Sequence, residues 1–343
     1  MSSEEPDAVS RIDSTSKILV TGGAGFIGSH LVQSLVDRGA RVVVLDDLST
    51  GNRENLEHDW ADGNVDLVEG STTDEQLVDR LVADSDVTFH LASAVGVQLV
   101  VSNPLDSLLR NVRGTDNVMG ATARHGKRLL FTSTSEVYGK NSSGALDEEA
   151  DRLLGSPFKA RWVYETSKAF GECLAHSYHR DRGTPTTVVR LFNTVGPRQT
   201  GQYGMVVPTF VRQALEGKPL SVYGDGSQTR CFAHVFDTVR GILSLMDTPG
   251  SVGNVFNIGA STEMPIVELA RRVLDHTESD SEIEFVAYED AYDKGFEELG
   301  RRKPDTTAIN QLTGWAPTLT VDDAIRDVIS FEQARQGGSP LAA

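Results

Sequence analysis

The chain has 343 residues, 39% of them apolar, and a formal net charge of −17. That length supplies a sizeable core, in one large domain or two unequal ones, and no window is apolar enough to span a bilayer. The acidic excess argues against nucleic acid or an anionic membrane as a partner, although a few local arginines can still receive a phosphorylated small molecule.

Residues 1–16 are polar, with Glu4, Glu5 and Asp7, and lack the apolar segment of a signal peptide. They read as a disordered leader on a cytoplasmic protein. The apolar run 17–21 is a strand, and Gly22-Gly23-Ala24-Gly25-Phe26-Ile27-Gly28 follows it into a helical pattern carrying Leu31, Leu35 and Val36. In such a turn Gly22 permits the sharp bend, Gly25 lets the backbone approach a pyrophosphate at the helix N-terminus, and Gly28 lets helix and strand pack closely. A second strand, 41–45, ends at Asp46, twenty-four residues after Gly22. A carboxylate there can accept both ribose hydroxyls of an adenosine, which favours NAD over NADP.

The alternation continues with strands at 65–69, 86–91 and 128–133 and helices at 74–83 and 104–125, the last carrying Asn111 and Gly114. His90 ends a buried strand and reads as a packed core histidine. A loop over 141–156 leads into a helix from Tyr164 to about residue 182, then a strand over 185–191. Strands alternating with helices imply a parallel sheet with right-handed crossovers. Beyond Phe192 the pattern is less regular. Helices are expected at 206–216, 235–246, 266–276 and 322–334, a strand at 254–258, and a hairpin over 220–230 around Gly224-Asp225-Gly226. Residues 283–303 are charge-rich and poorly periodic. Cys173 and Cys231 have no metal spacing and read as small core residues, so no metal site is expected.

The chemistry concentrates in Thr132-Ser133-Thr134-Ser135-Glu136 at a strand end and in Tyr164-Glu165-Thr166-Ser167-Lys168. A phenol and an ammonium four residues apart share one helix face. An unperturbed phenol has a pKa of roughly 10, which a nearby ammonium and a nicotinamide cation would lower. The phenolate could then take a proton from an alcohol while a hydride leaves its carbon. Thr134 can hydrogen-bond the same hydroxyl.

On these motifs the chain resembles the extended short-chain dehydrogenase/reductase family, over about residues 17–330. The matching features are residues 21–28, Asp46, His90-Leu91-Ala92, Asn111, residues 133–139, Tyr164 with Lys168, residues 190–193, Gly196-Pro197-Arg198, residues 224–230 and residues 301–304. The resemblance implies an α/β fold, a Rossmann-type doubly wound parallel sheet with a smaller, mixed α/β C-terminal substrate lobe. The NAD-binding part would be 17–192 plus about 233–260, and the lobe about 193–232 plus 261–335. It implies NAD held by Gly22, Gly25, Phe26, Ile27, Gly28, Asp46, Leu91, Ala92, Asn111, Tyr164 and Lys168. It also implies a UDP-sugar or similar nucleoside-diphosphate sugar, oxidised at C4 and held by Ser135, Asn193, Arg198, Arg230 and Arg302. A homodimer joined through the helices at 104–125 and around Tyr164 is expected. Two departures stand out: Gly70-Ser71-Thr72 where an acidic and an aliphatic residue often meet adenine, and Val195 where a tyrosine or proline-bearing turn is common.

Three reactions follow C4 oxidation in such proteins. Dehydration uses an Asp-Glu pair where this chain has Ser135-Glu136. Decarboxylation of UDP-glucuronate to UDP-xylose matches Thr134-Ser135-Glu136, the spacing Arg161-Trp162…Tyr164, and Arg302-Lys303-Pro304, with Glu136 and Arg302 catalytic beside Thr134, Tyr164 and Lys168. The alternative is a 4-epimerase, favoured by residues 93–102, which do not look like the usual decarboxylase stretch. A non-catalytic NAD-binding protein is the remaining reading, and retention of Thr134, Tyr164 and Lys168 argues against it.

Overall fold

Seven parallel strands form the centre of the protein, in a computed structural model that describes residues 12–57, 63–96, 100, 102–201, 205–287 and 301–336. The first half runs β1 (Lys17–Thr21), α1 (Phe26–Asp37), β2 (Arg41–Asp46), β3 (Val65–Glu69), α2 (Glu75–Ala83), β4 (Val87–His90), α3 (Pro104–His125), β5 (Arg128–Thr134), α4 (Val163–Arg182) and β6 (Thr186–Leu191). The second half runs β7 (Thr194–Val195), α5 (Val206–Leu215), β8 (Leu220–Tyr223), β9 (Thr229–Cys231), β10 (Ala233–His234), α6 (Val235–Met246), β11 (Val255–Ile258), β12 (Glu263–Pro265), α7 (Ile266–Thr277), β13 (Ile283–Val286), α8 (Thr307–Thr313) and α9 (Val321–Gln336). The central sheet has the order β3-β2-β1-β4-β5-β6-β11. Winding reverses between β1 and β4, and a doubly wound sheet opens a crevice there, at the C-terminal ends of its strands.

The period-2 alternation of β1 builds both faces. Ile18 and Val20 point into a cluster with Leu31, Leu35, Val239 and Ile242, from α1 and α6. Leu19 points the other way, to Val78, Val118 and Met119 from α2 and α3. Every residue of β5 is buried, as expected of a central strand covered on both sides. A further cluster joins Phe210, Val222, Leu269 and Val328, from α5, β8, α7 and α9.

A buried polar network ties α4 to the sheet. The Arg190 guanidinium donates to both carboxylate oxygens of Glu172, at 3.0 and 2.8 Å, and to the Tyr138 hydroxyl at 2.9 Å. Tyr138 in turn donates to Asn257 Oδ1 at 2.8 Å. Glu172 lies one turn beyond Lys168, so the network also sets the register of the chemically active face of α4. We expect Arg190→Met to cost about 3–5 kcal/mol by leaving the Glu172 charge uncompensated. Pairing it with Glu172→Gln should recover most of that loss in a denaturant titration.

Three sequence expectations change. The ordered chain reaches back into the expected leader: Ile12 is buried in the α1 cluster, and Asp13 Oδ1 accepts hydrogen bonds from the Thr15 amide and hydroxyl; residues 1–11 lie outside those described. The 220–230 segment is not a hairpin. Its turn glycines are real, with φ of 68° at Gly224 and 72° at Gly226, but β8 pairs in parallel with β13 and β9 pairs antiparallel with β12. Cys231 is buried as expected, whereas Cys173 is exposed on α4. Residues 288–300 of the charge-rich stretch are outside the described ones. Among the described residues no helix is long and apolar enough to cross a membrane.

Candidate active site

All eighteen residues picked from the sequence for cofactor, substrate or chemistry line one cavity of about 770 Å³ at the strand C-termini. It runs from Gly22 and Asp46, past Leu91, Ala92 and Asn111, to Thr134, Tyr164 and Lys168. It continues under Asn193, Arg198, Arg230 and Arg302. Gly70, Ser71 and Thr72 line it too, as does Val195, so both departures from the family pattern face this space.

The glycine turn leaves no room for side chains. Gly22 has φ of 74°, and a Cβ there would sit 2.7 Å from the Ala92 nitrogen. A Cβ on Gly28 would sit 2.1 Å from the Gly22 carbonyl oxygen. Gly25 caps α1 without any side-chain hydrogen bond, and no acidic residue occupies the first turn. The N–H groups and positive dipole end of α1 are thus left for an anion. Asp46 ends β2, with its carboxylate accepting from the Ala24 nitrogen at 3.0 Å and the Leu48 nitrogen at 2.9 Å. Burial raises its pKa while those amides oppose the shift. An uncapped helix start beside a strand-end carboxylate fits the pyrophosphate and ribose of NAD. Gly28→Ala is expected to abolish retained NAD and lower the thermal midpoint, since overpacking by a methyl costs about 1–3 kcal/mol or more. Gel filtration followed by cofactor release checks the first effect.

His90 does not line the cavity. Its Nδ1 pairs with Thr21 Oγ1 at 2.7 Å and its Nε2 with Thr115 Oγ1 at 3.2 Å, while the ring stacks on Phe131. Burial, and secondarily Lys168, lowers its pKa to about 3. It is a neutral core histidine, as expected.

Asn111 clamps the turn after β4 to α4. Its Oδ1 accepts from the Ser93 hydroxyl and the Ala94 nitrogen, at 3.1 and 2.7 Å, and its Nδ2 donates to Ser167 Oγ at 3.2 Å. The Tyr164 hydroxyl is hydrogen-bonded with Ser93 and Thr134. Thr134 Oγ1 also accepts from the Glu136 nitrogen at 3.2 Å, capping the short 3-10 turn that follows β5. Thus α4, β5 and the β4 turn converge on one phenol.

Burial dominates the charge balance at that phenol. Burial raises the Tyr164 pKa above its ordinary value, and the Glu136 carboxylate adds to the rise, against the hydrogen bonds from Ser93 and Thr134. Lys168 does not offset it. The Lys168 ammonium donates to the Thr132 carbonyl at 2.8 Å and lies 5.9 Å from the Tyr164 ring centroid. Burial brings Lys168 itself down to about 7, with Glu172 pulling the other way. Helical spacing does put the two side chains on one face, and burial moves each toward its neutral form.

Glu136 sits opposite. Its Oε2 accepts from Arg161 Nη1 at 2.7 Å, and its Oε1 lies 3.6 Å from Arg302 Nη1. The same Arg302 nitrogen donates to Ser135 Oγ at 3.3 Å, across 167 residues of chain. Burial alone would raise the Glu136 pKa, but Arg161 and Arg302, with Arg230 behind them, bring it down to about 2. Glu136 is therefore a fixed anion at neutral pH. Asn193 Nδ2 donates to the Cys231 carbonyl, Arg230 Nη1 donates to the Thr229 carbonyl, and Arg198 adopts φ of 66° on the turn beyond β7. Arg198 and Arg230 bring positive charge to the far end of the cavity, where bidentate donors suit a diphosphate.

Two contributors were not singled out from the sequence. Ser93 had a signal, a hydroxyl just past a strand end. Arg161 entered only as part of a spacing, because its partner Glu136 is twenty-five residues away in the chain. Among the described residues no cluster of His, Cys, Asp or Glu could hold a metal ion.

The chain is similar to known proteins over nearly its full length. A model of the NAD dependent epimerase/dehydratase family matches residues 18–259. A UDP-N-acetyl-alpha-D-glucosaminuronate decarboxylase of Bacillus cytotoxicus is 39% identical over 316 residues, covering 92% of this chain and 97% of that one. UDP-glucuronic acid decarboxylase 1 of Xenopus tropicalis is 36% identical, covering 92% of this chain and 72% of that one. The crystal structure of a UDP-glucuronic acid 4-epimerase from Bacillus cereus, in complex with UDP-glucuronic acid and NAD, superposes with a TM-score of 0.83 at 28% identity, covering 93% of this chain and 99% of that one.

Proposed function

The chain belongs to the NAD dependent epimerase/dehydratase family, and from that premise we propose that it decarboxylates a UDP-linked uronic acid, converting UDP-glucuronate to UDP-xylose. The observation that carries this reading is Arg302, whose guanidinium lies 3.6 Å from Glu136 and 3.3 Å from Ser135 at the end of β5. A neutral hexose needs no such cation; a sugar whose C6 is a carboxylate does. The similarity to decarboxylases of two UDP-uronates supports the same reading.

NAD, when bound, supplies the hydride acceptor and a positive charge. Tyr164, as the phenolate that an adjacent nicotinamide cation would favour, would take the C4 hydroxyl proton, with Ser93 and Thr134 orienting its oxygen and Lys168 one turn on. With C4 a ketone, the C6 carboxylate is β to a carbonyl, so carbon dioxide leaves with its bonding electrons delocalised onto the C4 oxygen. Arg302 orients the departing carboxylate; a proton must then reach C5, and the hydride taken from C4 must return to the ketone to give UDP-xylose. Ser135 in place of an aspartic acid counts against dehydration.

A 4-epimerase is the second reading, favoured by the likeness to the UDP-glucuronic acid 4-epimerase structure. Incubation with UDP-glucuronate and proton NMR separates the two. UDP-xylose and carbon dioxide are the expected products; UDP-galacturonate would establish the epimerase instead. UDP-N-acetylglucosaminuronate belongs in the same assay, because the B. cytotoxicus relative is named for it.

We assign the NAD-binding part to 17–192 plus about 233–260, and the substrate lobe to about 193–232 plus 261–335, which the separate cluster around Phe210 and Leu269 supports. A homodimer through α3 and α4 is supported by the exposed Leu105, Leu109 and Phe170 on those helices. A cytoplasmic location accords with the substrate class.

A further inference from the structure

Arg198, at the far end of the cavity, sits at a turn position that an arginine does not favour. Pro197 and Arg198 are the central residues of the turn at 196–199, and Arg198 has φ of 66°. Proline at the second position and a positive φ at the third are the features of a type II turn. Glycine takes that third position without strain, whereas an arginine meets the steric clash of its own Cβ. A type I turn would relieve the clash. The two types differ in the orientation of the central peptide, so a flip of the Pro197–Arg198 peptide would bring Arg198 to negative φ and swing its side chain away.

That peptide is held from outside the turn. His30, buried on α1, has its Nε2 2.9 Å from the Pro197 carbonyl oxygen. A carbonyl only accepts, so Nε2 carries the proton. Burial, and secondarily the Arg198 charge, bring the His30 pKa down to about 3, with the Pro197 bond opposing. The ring is thus a neutral donor. Phe26, one turn earlier on α1, and Phe236, at the start of α6, meet it edge-on at centroid distances of 6.0 and 5.3 Å and fix its orientation. The flanks of the turn are tied separately. Gln199 Nε2 donates to the Thr194 carbonyl at 3.1 Å, and Gly196 lies so close to Val235 that a Cβ would come within 2.6 Å of its Cγ1. Arg198 and Phe26 line the cavity; His30 does not.

We propose that His30 is a positioning residue for nucleotide-sugar binding: by holding the Pro197–Arg198 peptide in the type II orientation, it keeps the Arg198 guanidinium aimed at the diphosphate. The inference rests on the nucleotide-sugar reading above and applies to a decarboxylase and an epimerase alike. It also joins the two halves of the site, because α1 then carries the glycine turn at its start and, one turn on, the donor that shapes the Arg198 turn.

The test is calorimetric binding of UDP to the NAD-loaded protein, with kcat and KM for UDP-glucuronate measured beside it. His30→Phe keeps a flat ring between Phe26 and Phe236 and removes the donor. It should weaken UDP binding and raise KM by about tenfold each, the scale of one lost hydrogen bond, while kcat stays within about twofold and NAD is retained on gel filtration. His30→Met, flexible enough to fill the same space without a donor, gives the same readout where the larger ring destabilises the protein. A double-mutant cycle then asks whether His30 acts through Arg198. Arg198→Gln should weaken UDP by itself, and adding His30→Phe to it should cost less than about twofold more, because no guanidinium is left to aim. The same penalty with and without Arg198, or loss of NAD and stability in both His30 variants with UDP affinity intact, would overturn the role of His30. Wild-type protein that binds no UDP, or Arg198→Gln protein that binds it as tightly as the wild type, would instead sink the diphosphate reading of Arg198, and this proposal with it.

Discussion

Tyr164→Phe should lower turnover of UDP-glucuronate by about 10²–10⁴-fold, the usual contribution of a positioned general base, while the protein keeps its NAD. The substitution removes one oxygen and preserves the ring. That oxygen is the atom on which Ser93 and Thr134 converge, so the loss falls on proton transfer. Stability should change little, because the ring and its packing are kept and only one oxygen is lost. Cofactor content after gel filtration and single-turnover kinetics with UDP-glucuronate measure the two halves of the prediction. Near-normal turnover would remove Tyr164 from the reaction.

Arg302→Ala should slow loss of carbon dioxide by about 10²–10³-fold, the range for removing one preorganised electrostatic donor, with a smaller effect on oxidation at C4. Glu136 stays paired with Arg161 in that variant, so no buried charge is orphaned and the fold should hold. Glu136→Gln is the harsher change. It leaves two buried guanidiniums facing each other and should cost stability, by about 3–5 kcal/mol if neither can reach solvent. In both variants the 4-keto uronate should build up relative to carbon dioxide released, detected by borodeuteride trapping and mass spectrometry. Equal loss of the two steps would show that the arginine acts on binding alone.

The α/β order was legible in the sequence because it is local. The glycine turn, the apolar runs and the 3.6-residue patterns of α3 and α6 each depend on neighbours within a few residues. The strand-end carboxylate Asp46 was found the same way. Misreadings came where a local signal was right and its partner distant. The glycines at 224 and 226 do make a turn, but the strands beside it pair with β12 and β13. Residues 12–16 are polar as a segment, yet Ile12 finds a place against α1.

The candidate site divides along the same line. Residue types and spacing along the chain determined which groups are present: a dinucleotide turn, a Tyr and a Lys on one helix face, hydroxyls and one carboxylate at the end of β5. Only the folded chain decided their protonation and their company. Burial sends the Lys168 ammonium to the Thr132 carbonyl and lifts the Tyr164 phenol. Topology brings Arg161 and Arg302 onto opposite oxygens of Glu136 and turns a lone acid into the shared partner of two arginines. Spacing along a helix is fixed by backbone geometry, whereas desolvation and ion pairing depend on every element packed around the group, and those come from all parts of the chain.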